Sequence, residues 1–222
     1  MKGILFKPDM IQAIIEGRKT VTRRAEAGLR EINQEPDKWT CIGRDYEEGF
    51  EDYFVFRARP EIRLVKPRYQ VGETVYIKEK ALYWDGGAGG CSNIAYQDDP
   101  EIPQLLEDNN RLLITRETEN ILAGEPVVGK WQWKSPLFMA EEDARYFLEI
   151  TDVRAERLQE ISSYDIEREG LPYKINRDDT HETHDSEIAI EWFRNIWNSI
   201  NKEKWESNPW VFVYTFRNKE GK

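Results

Sequence analysis

Nine residues, EGRKTVTRR from Glu16 to Arg24, set Arg18, Lys19, Arg23 and Arg24 beside Thr20, Thr22 and Gly17, in a chain whose net charge is -10. Cations next to hydroxyls suit two chemistries. They can hold a phosphate or carbonyl oxygen through charge-assisted hydrogen bonds, or, if the lysine gives up its proton, they can activate a threonine as a nucleophile. A solvated turn has the same composition, so the stretch alone does not choose between them. The only histidines, His181 and His184, lie in DDTHETHDSE with an i, i+3 spacing that would suit a metal on a helix. Their segment is wholly polar and reads as a loop before the next helix, so no metal is assigned. General acid and base work then falls to lysine, threonine and glutamate. Cys41 and Cys91 lack the C-x-x-C spacing of a redox or metal site. The glycine cluster GGAGG, Gly86 to Gly90, has neither a P-loop lysine nor a G-x-G-x-x-G pattern, and reads as a loop.

A pI near 5.0 argues against indiscriminate coating of nucleic acid, which needs many phosphate contacts. The charge is nevertheless unevenly spread. Met1 to Arg30 carries seven basic and three acidic residues, Arg57 to Lys80 again seven and three, and Cys91 to Asn120 two and seven. That asymmetry allows a basic concavity on an acidic body. No apolar run is long enough to cross a bilayer, and Pro8 interrupts MKGILFKPDM before a signal-peptide core forms. The expectation is a soluble, cytoplasmic protein with a single domain over its 222 residues.

The reactive stretch needs elements to position it. ILF reads as a short strand, and Pro8 opens a helix with Met10, Ile11, Ile14 and Ile15 on one face and Gly17 as its cap. TVTRR follows as a strand with Thr20, Thr22 and Arg24 on one face, which Lys19 joins only from the turn. Ala25 to about Asp52 is polar and irregular, and YFVFRARPEIRLV is strand material interrupted at Pro60. In RYQVGETVYIKEK, Val75, Ile77 and Glu79 alternate with Thr74, Tyr76 and Lys78, so Glu79 shares a face with two core-type residues. RYFLEITDVRAERL alternates through Phe147, Glu149 and Thr151. ISSYDIEREG forms a short helix capped by Ser162 or Ser163 and closed by Gly170. EIAIEWFRNIWNSI is a helix with Ile188, Trp192, Phe193, Ile196, Trp197 and Ile200 as its apolar stripe. PWVFVYTF ends the pattern, with Trp210, Phe212, Tyr214 and Phe216 opposite Val211 and Val213. Trp192, Trp197 and Trp210 therefore belong to the core, whereas Trp84, Trp131 and Trp133 lie in less regular segments. Separated strands with a few helices imply an α+β fold with a curved or closed sheet.

EGRKTVTRR resembles the G-x-K-T-x-T-x-R signature of the ASCH domain family, in the PUA-like superfamily. VGETVYIKE is similar to that family's glycine-started strand ending in glutamate, and SPLFMAEEDARYFLEITDVRAERLQEIS to the central stretch of its longer, phage-type members. DIEREG and the closing FRNIWNSI and WESNPWVFVYTF extend the likeness. It covers both ends and the middle, and the stretches about 25–68 and 82–129 look like insertions. The resemblance implies a PUA-like β-barrel with flanking helices and long loop insertions. It implies binding of RNA or of a modified nucleotide, or, as in some compact members, an amidohydrolase on acylated cytidines or a ribonuclease. Lys19, Thr22 and Arg24 match the signature, and Glu169 matches the amidohydrolase carboxylate. Glu79 and Arg145 fall at other recurrent positions.

The leading expectation is recognition of RNA or a nucleotide in a basic cleft where Lys19, Thr22, Arg24 and Glu169 converge. Arg24 and Arg145 would meet phosphate or a carbonyl, Lys19 would supply charge and Thr22 a hydroxyl. The alternative is a hydrolase with Thr22 as nucleophile, Lys19 as base or oxyanion partner and Glu169 orienting the site. It requires Lys19 to be desolvated or crowded by Arg18, Arg23 and Arg24. A third class is an interaction module that contacts a protein partner through the acidic Cys91 to Asn120 stretch. No cofactor is expected under any of the three.

Overall fold

The computed structural model describes residues 1–44, 50–85, 94–108, 130–175 and 182–219. In chain order the elements are β1 (Lys2–Leu5), α1 (Pro8–Ile15), β2 (Val21–Arg24), β3 (Thr40–Arg44), β4 (Phe54–Ala58), β5 (Glu61–Val65), β6 (Thr74–Lys78) and β7 (Ala81–Asp85). There follow β8 (Ile94–Tyr96), α2 (Ile102–Asp108), β9 (Lys130–Lys134), β10 (Phe147–Arg157), α3 (Ser163–Arg168), α4 (Glu182–Ile200) and β11 (Trp210–Lys219). The fold is mixed α+β, with eleven strands in three sheets and four α-helices among the described residues. No sheet closes into a barrel among them. Two compact units are distinguished. The larger comprises Lys2, Lys7–Val75 and Tyr146–Lys222, and the smaller Met1, Gly3–Phe6 and Tyr76–Arg145.

β11 is the centre of the larger unit, paired antiparallel with β10 on one side and β2 on the other. Its sequence WVFVYTF has no polar face, and both faces are covered, as a near-continuous apolar run requires. Val211 and Val213 join Val21, Ile166, Leu171, Phe193 and Trp197 in one core cluster under α3 and α4. On the other face Trp210, Phe212 and Tyr214 meet Phe56, Phe54 and Tyr69, with ring centroids 5.2, 5.4 and 5.2 Å apart. Phe54 and Phe56 come from the antiparallel β3-β4-β5 sheet, so that sheet lies against the aromatic side of β11.

Several expectations change. The irregular excursion after Ala25 is well packed: Leu29, Ile32 and Trp39 are buried along three 3-10 turns, and Cys41 sits half-buried in β3 rather than in a loop. α4 begins at Glu182, so His184 belongs to a helix; its side chain, like His181, lies outside what is described. The α4 stripe is also narrower than expected. Ala189, Phe193 and Trp197, spaced four apart, carry the burial, while Ile188 and Ile200 are exposed. β10 shifts register between Ile150 and Asp152, which breaks the simple alternation through Thr151.

In the smaller unit β7 lies between β8 and β9. Leu82, Ala95 and Ile102 form its core with Leu105 and Trp131, and Trp84 packs edge-on to Trp131 at 5.7 Å. These two tryptophans, expected in irregular segments, stand opposite each other on paired strands. Gly86 to Gly90 and, of the acidic stretch, 91–93 and 109–120 lie outside the described residues.

Candidate functional site

Three local features bring Lys19 to its place. Pro8 opens α1, Gly17 at φ 74° turns the chain after it, and Lys19 then donates its backbone N–H to Ala13 at 2.9 Å. Ser162 caps α3 by accepting from the Asp165 N–H at 3.1 Å, as the sequence predicts, and Gly170 at φ 101° ends that turn. Between them, Lys19 and Glu169 form an isolated antiparallel bridge, and the Thr20 N–H donates to Arg168 O at 2.8 Å. A Cβ on Gly170 would stand 3.2 Å from the Ala13 Cβ and 3.3 Å from the Lys19 Cβ. Glycine is thus required there both by conformation and by the closeness of the lysine.

The bridge buries charge. Lys19 is 1% exposed, and its ammonium donates to Glu169 Oε2 at 2.6 Å, Glu169 O at 2.9 Å and Val21 O at 3.0 Å. All three protons are engaged. Arg23 continues the chain: Nη1 donates to Glu169 Oε1 at 3.2 Å, and Nη2 to Asp165 Oδ2 at 2.7 Å and Glu156 Oε2 at 3.0 Å. Arg154 pairs with the same Asp165 and Glu156, with Asp152 at 3.6 Å from it, and Arg168 reaches Asp165 at 3.4 Å. Lys19, Arg23, Arg154 and Arg168 thus face Glu169, Asp165, Glu156 and Asp152, four charges against four. The network neutralises itself, and such a closed set suits a scaffold better than an anion receptor. Burial pushes the Lys19 amine below its ordinary value. The Glu169 carboxylate opposes that shift, and Arg24 and Arg23 add to it. The desolvation that a lysine base needs is therefore present, but in this arrangement the ammonium has its full complement of acceptors.

Thr22 and Arg24 belong to the other face of β2. Thr22 pairs with Tyr214 and Arg24 with Phe212, both on the aromatic side of β11, whereas Val21 and Arg23 pair with Thr215 and Val213 on the helix side. Thr22 is 4% exposed. Arg24 is half-buried; burial lowers its pKa, and Tyr69, Glu169, Glu26 and Tyr214 oppose that in turn. Glu26 accepts from the Tyr214 hydroxyl at 2.6 Å and from the Arg68 N–H at 2.9 Å, and burial raises its pKa. Thr20, one residue before β2, accepts from Arg168 Nε at 3.1 Å, so its hydroxyl serves α3.

Of the residues expected to converge, Lys19 and Glu169 touch across 150 positions of sequence. Thr22 and Arg24 lie on the opposite face of their strand from Arg23, which shares the Glu169 carboxylate. Glu79 and Arg145 belong to the smaller unit and to each other, with Arg145 gripping the buried Glu79 through two bonds of 2.7 and 3.2 Å. Arg145 also meets Asp98 at 2.7 Å and stacks 3.8 Å over the Tyr96 ring. Asp165 and Glu26 were not anticipated from the sequence; Arg23 was expected to crowd Lys19, which its charge does, but not to share the Glu169 carboxylate. Glu26 was within reach, because the alternation through Thr22 and Arg24 continues two residues further. The inward, carboxylate-bound place of Arg23 gave no signal, since a cation on the core side of a strand reads as an exception until its three carboxylates are assembled.

Beside the scaffold, α1, α4 and the Gly170 turn enclose a cleft of about 130 Å³. Met10, Pro172, Trp192 and Ile196 line it with Asp9, Arg18 and Glu169. Arg18 bonds Glu16 at 2.7 Å and Gly170 O at 3.0 Å at its mouth. Among the described residues no cluster of histidine, cysteine and carboxylate side chains could hold a metal. Among the described residues no helix is long and apolar enough to cross a membrane. No family model matches the chain, and neither the curated proteins nor the solved structures yield a match.

Proposed function

We propose that the chain is an ASCH-like protein of PUA-like kinship that recognises RNA or a nucleotide without turning it over. The observation that carries this reading is the contact between Lys19 and Glu169 at 2.6 Å, which joins the EGRKTVTRR signature to the EREG motif 150 positions away. The resemblance places both motifs in one site, and their contact supports that reading. The aromatic side of β11, closed over by the β3-β4-β5 sheet, is the feature compatible with a barrel-like ancestry. In this reading the neutral scaffold of Lys19, Glu169, Arg23 and Asp165 fixes β2 against α3. Arg24, on the side of Tyr69 and Tyr214, is the cation offered to phosphate or carbonyl oxygen. Arg145, held by two carboxylates, positions Glu79.

The burial of Lys19 favours one competitor, the amidohydrolase with Thr22 as nucleophile. The facing of Thr22 and the three acceptors around Lys19 weigh against it, because a base needs a lone pair aimed at the hydroxyl it activates. The test is direct. Wild-type protein is titrated with single-stranded RNA at low salt and incubated with an acylated cytidine while free cytidine is followed. The expected result is RNA binding that weakens in Arg24→Ala, with no cytidine released. Cytidine release that disappears in both Lys19→Arg and Thr22→Ala would replace the binder with the hydrolase, and the absence of RNA binding at low salt would remove the binder outright.

A further inference from the structure

The β3-β4-β5 sheet has two sides, and only one is used by the core. Phe54, Phe56 and Ala58 of β4 point inward and are buried. The alternate residues Tyr53, Val55 and Arg57 must therefore face outward. Register places Leu64 opposite Val55 and Ile62 opposite Arg57, and continuing it one step sets Lys66 opposite Tyr53, where its ammonium lies 5.6 Å from the ring centroid. Ile62 is 51% exposed and Leu64 39%. An exposed apolar stripe on a sheet face, ending in an aromatic ring and punctuated by cations, is not what an edge hairpin needs for solubility.

The cations around this face are unusual for so acidic a chain. Between residues 57 and 68 five basic side chains stand against one acid, Glu61; Arg57 and Lys66 belong to this face, whereas Arg63, opposite the inward Phe56, lies over Trp39, and Arg68 lies over Tyr69. Arg57 is exposed and outward, and among the described residues Lys66 is ion-paired with Asp52, at 2.8 Å and half exposed, an ion pair of the weak surface kind. Phe50, 41% exposed, packs edge-on to Tyr53 with centroids 5.7 Å apart and extends the aromatic end. Along one strand, outward residues recur about every 6.5–7 Å, which is close to the phosphate spacing of an extended nucleic-acid strand. From Tyr53 to Arg57 the face runs about 13–14 Å, room for two or three nucleotides.

We propose that this outer sheet face is a platform for single-stranded nucleic acid. A base stacks on Tyr53, aliphatic Val55, Leu64 and Ile62 carry the next sugar and base, and Lys66 and Arg57, at opposite ends of the face, each take a phosphate, two steps apart along the strand. The inference rests on the RNA-binding reading and moves its main contact area from the buried signature to a hairpin that looks like an insertion. An acidic peptide would match the cations but would leave the aromatic end without a role.

The experiment measures binding of a labelled single-stranded oligouridine to the full chain by fluorescence anisotropy across a salt series. Arg57→Ala combined with Lys66→Ala removes two phosphate contacts, so the slope of log K against log salt should flatten by about 1.4. Tyr53→Ala should weaken binding by about 5- to 150-fold, and Tyr53→Phe, which keeps the ring and reports on folding, should restore it. Wild-type slope and affinity in the double variant and in Tyr53→Ala would overturn the platform while leaving the RNA-binding reading intact. Absence of oligouridine binding by the wild type would overturn both. Polyglutamate competing as well as oligouridine would also overturn the platform, because charge alone would then suffice.

Discussion

Glu169 is the residue on which the buried charges depend. One oxygen holds Lys19 and the other Arg23, both nearly inaccessible to solvent. Glu169→Gln keeps the shape and removes the charge, leaving two cations without that partner inside the protein. Loss of one partner from a buried ion pair costs about 3–5 kcal/mol, and the urea midpoint of the variant should fall accordingly. A variant as stable as wild type would mean that water reaches the cluster. Glu26 gives the opposite kind of test. Burial raises its carboxyl above the ordinary 4.5, with Tyr214 and Arg68 hydrogen bonds opposing. The folded chain therefore binds this proton more tightly than the unfolded chain. The associated stability is fully present below 4.5 and is lost as pH rises through the raised folded value. Glu26→Gln should flatten that decline, read as the pH dependence of the midpoint in wild type minus variant. An unchanged difference across that window would show that the carboxyl is solvated.

Two glycines at element ends separate backbone strain from packing. Gly17 has φ 74° and nothing within 4 Å of where a Cβ would sit, whereas Gly170 has φ 101° and the Ala13 and Lys19 side chains within 3.3 Å. Gly17→Ala should cost about 1 kcal/mol, the penalty of the left-handed conformation alone. Gly170→Ala should cost more, about 2–3 kcal/mol, and its excess over Gly17→Ala reports the crowding against Lys19. Equal costs in thermal melts would mean that α1 yields freely. These elements are also where the sequence was most readable. Pro8, Gly17, Ser162 and Gly170 announced the ends of α1 and α3, because caps and turns are set by local backbone chemistry. The face on which Lys19 meets the network was not readable. Alternation put Thr22 and Arg24 together correctly but left Arg23, pointing inward, without its reason, since Glu156, Asp165 and Glu169 lie more than 130 positions away in the chain. The excursion after Ala25 misled for a similar cause: Leu29, Ile32 and Trp39 are isolated apolar residues with no period to announce that they are buried.

At the scale of the whole chain, a net charge of -10 opposes any polyanion, so attraction to RNA has to come from a few cations near the contact. Arg24, Arg57 and Lys66 are the groups assigned here to phosphate, and about three contacts on a single strand correspond to a slope near -2 in log K against log salt. Raising salt fourfold should then lower affinity by roughly 20-fold, far less than the 10³–10⁵ expected of a protein that neutralises many phosphates. The distant negative charge acts differently. Its repulsion is screened beyond about 10 Å at ordinary ionic strength, so bringing the pH down toward the pI near 5.0 should strengthen binding at low salt and have little effect at high salt. The measurement is a grid of anisotropy titrations in salt and pH. A slope several times steeper than -2 would mean that many more cations than these three reach the RNA, and the local-contact account of this acidic protein would have to be abandoned.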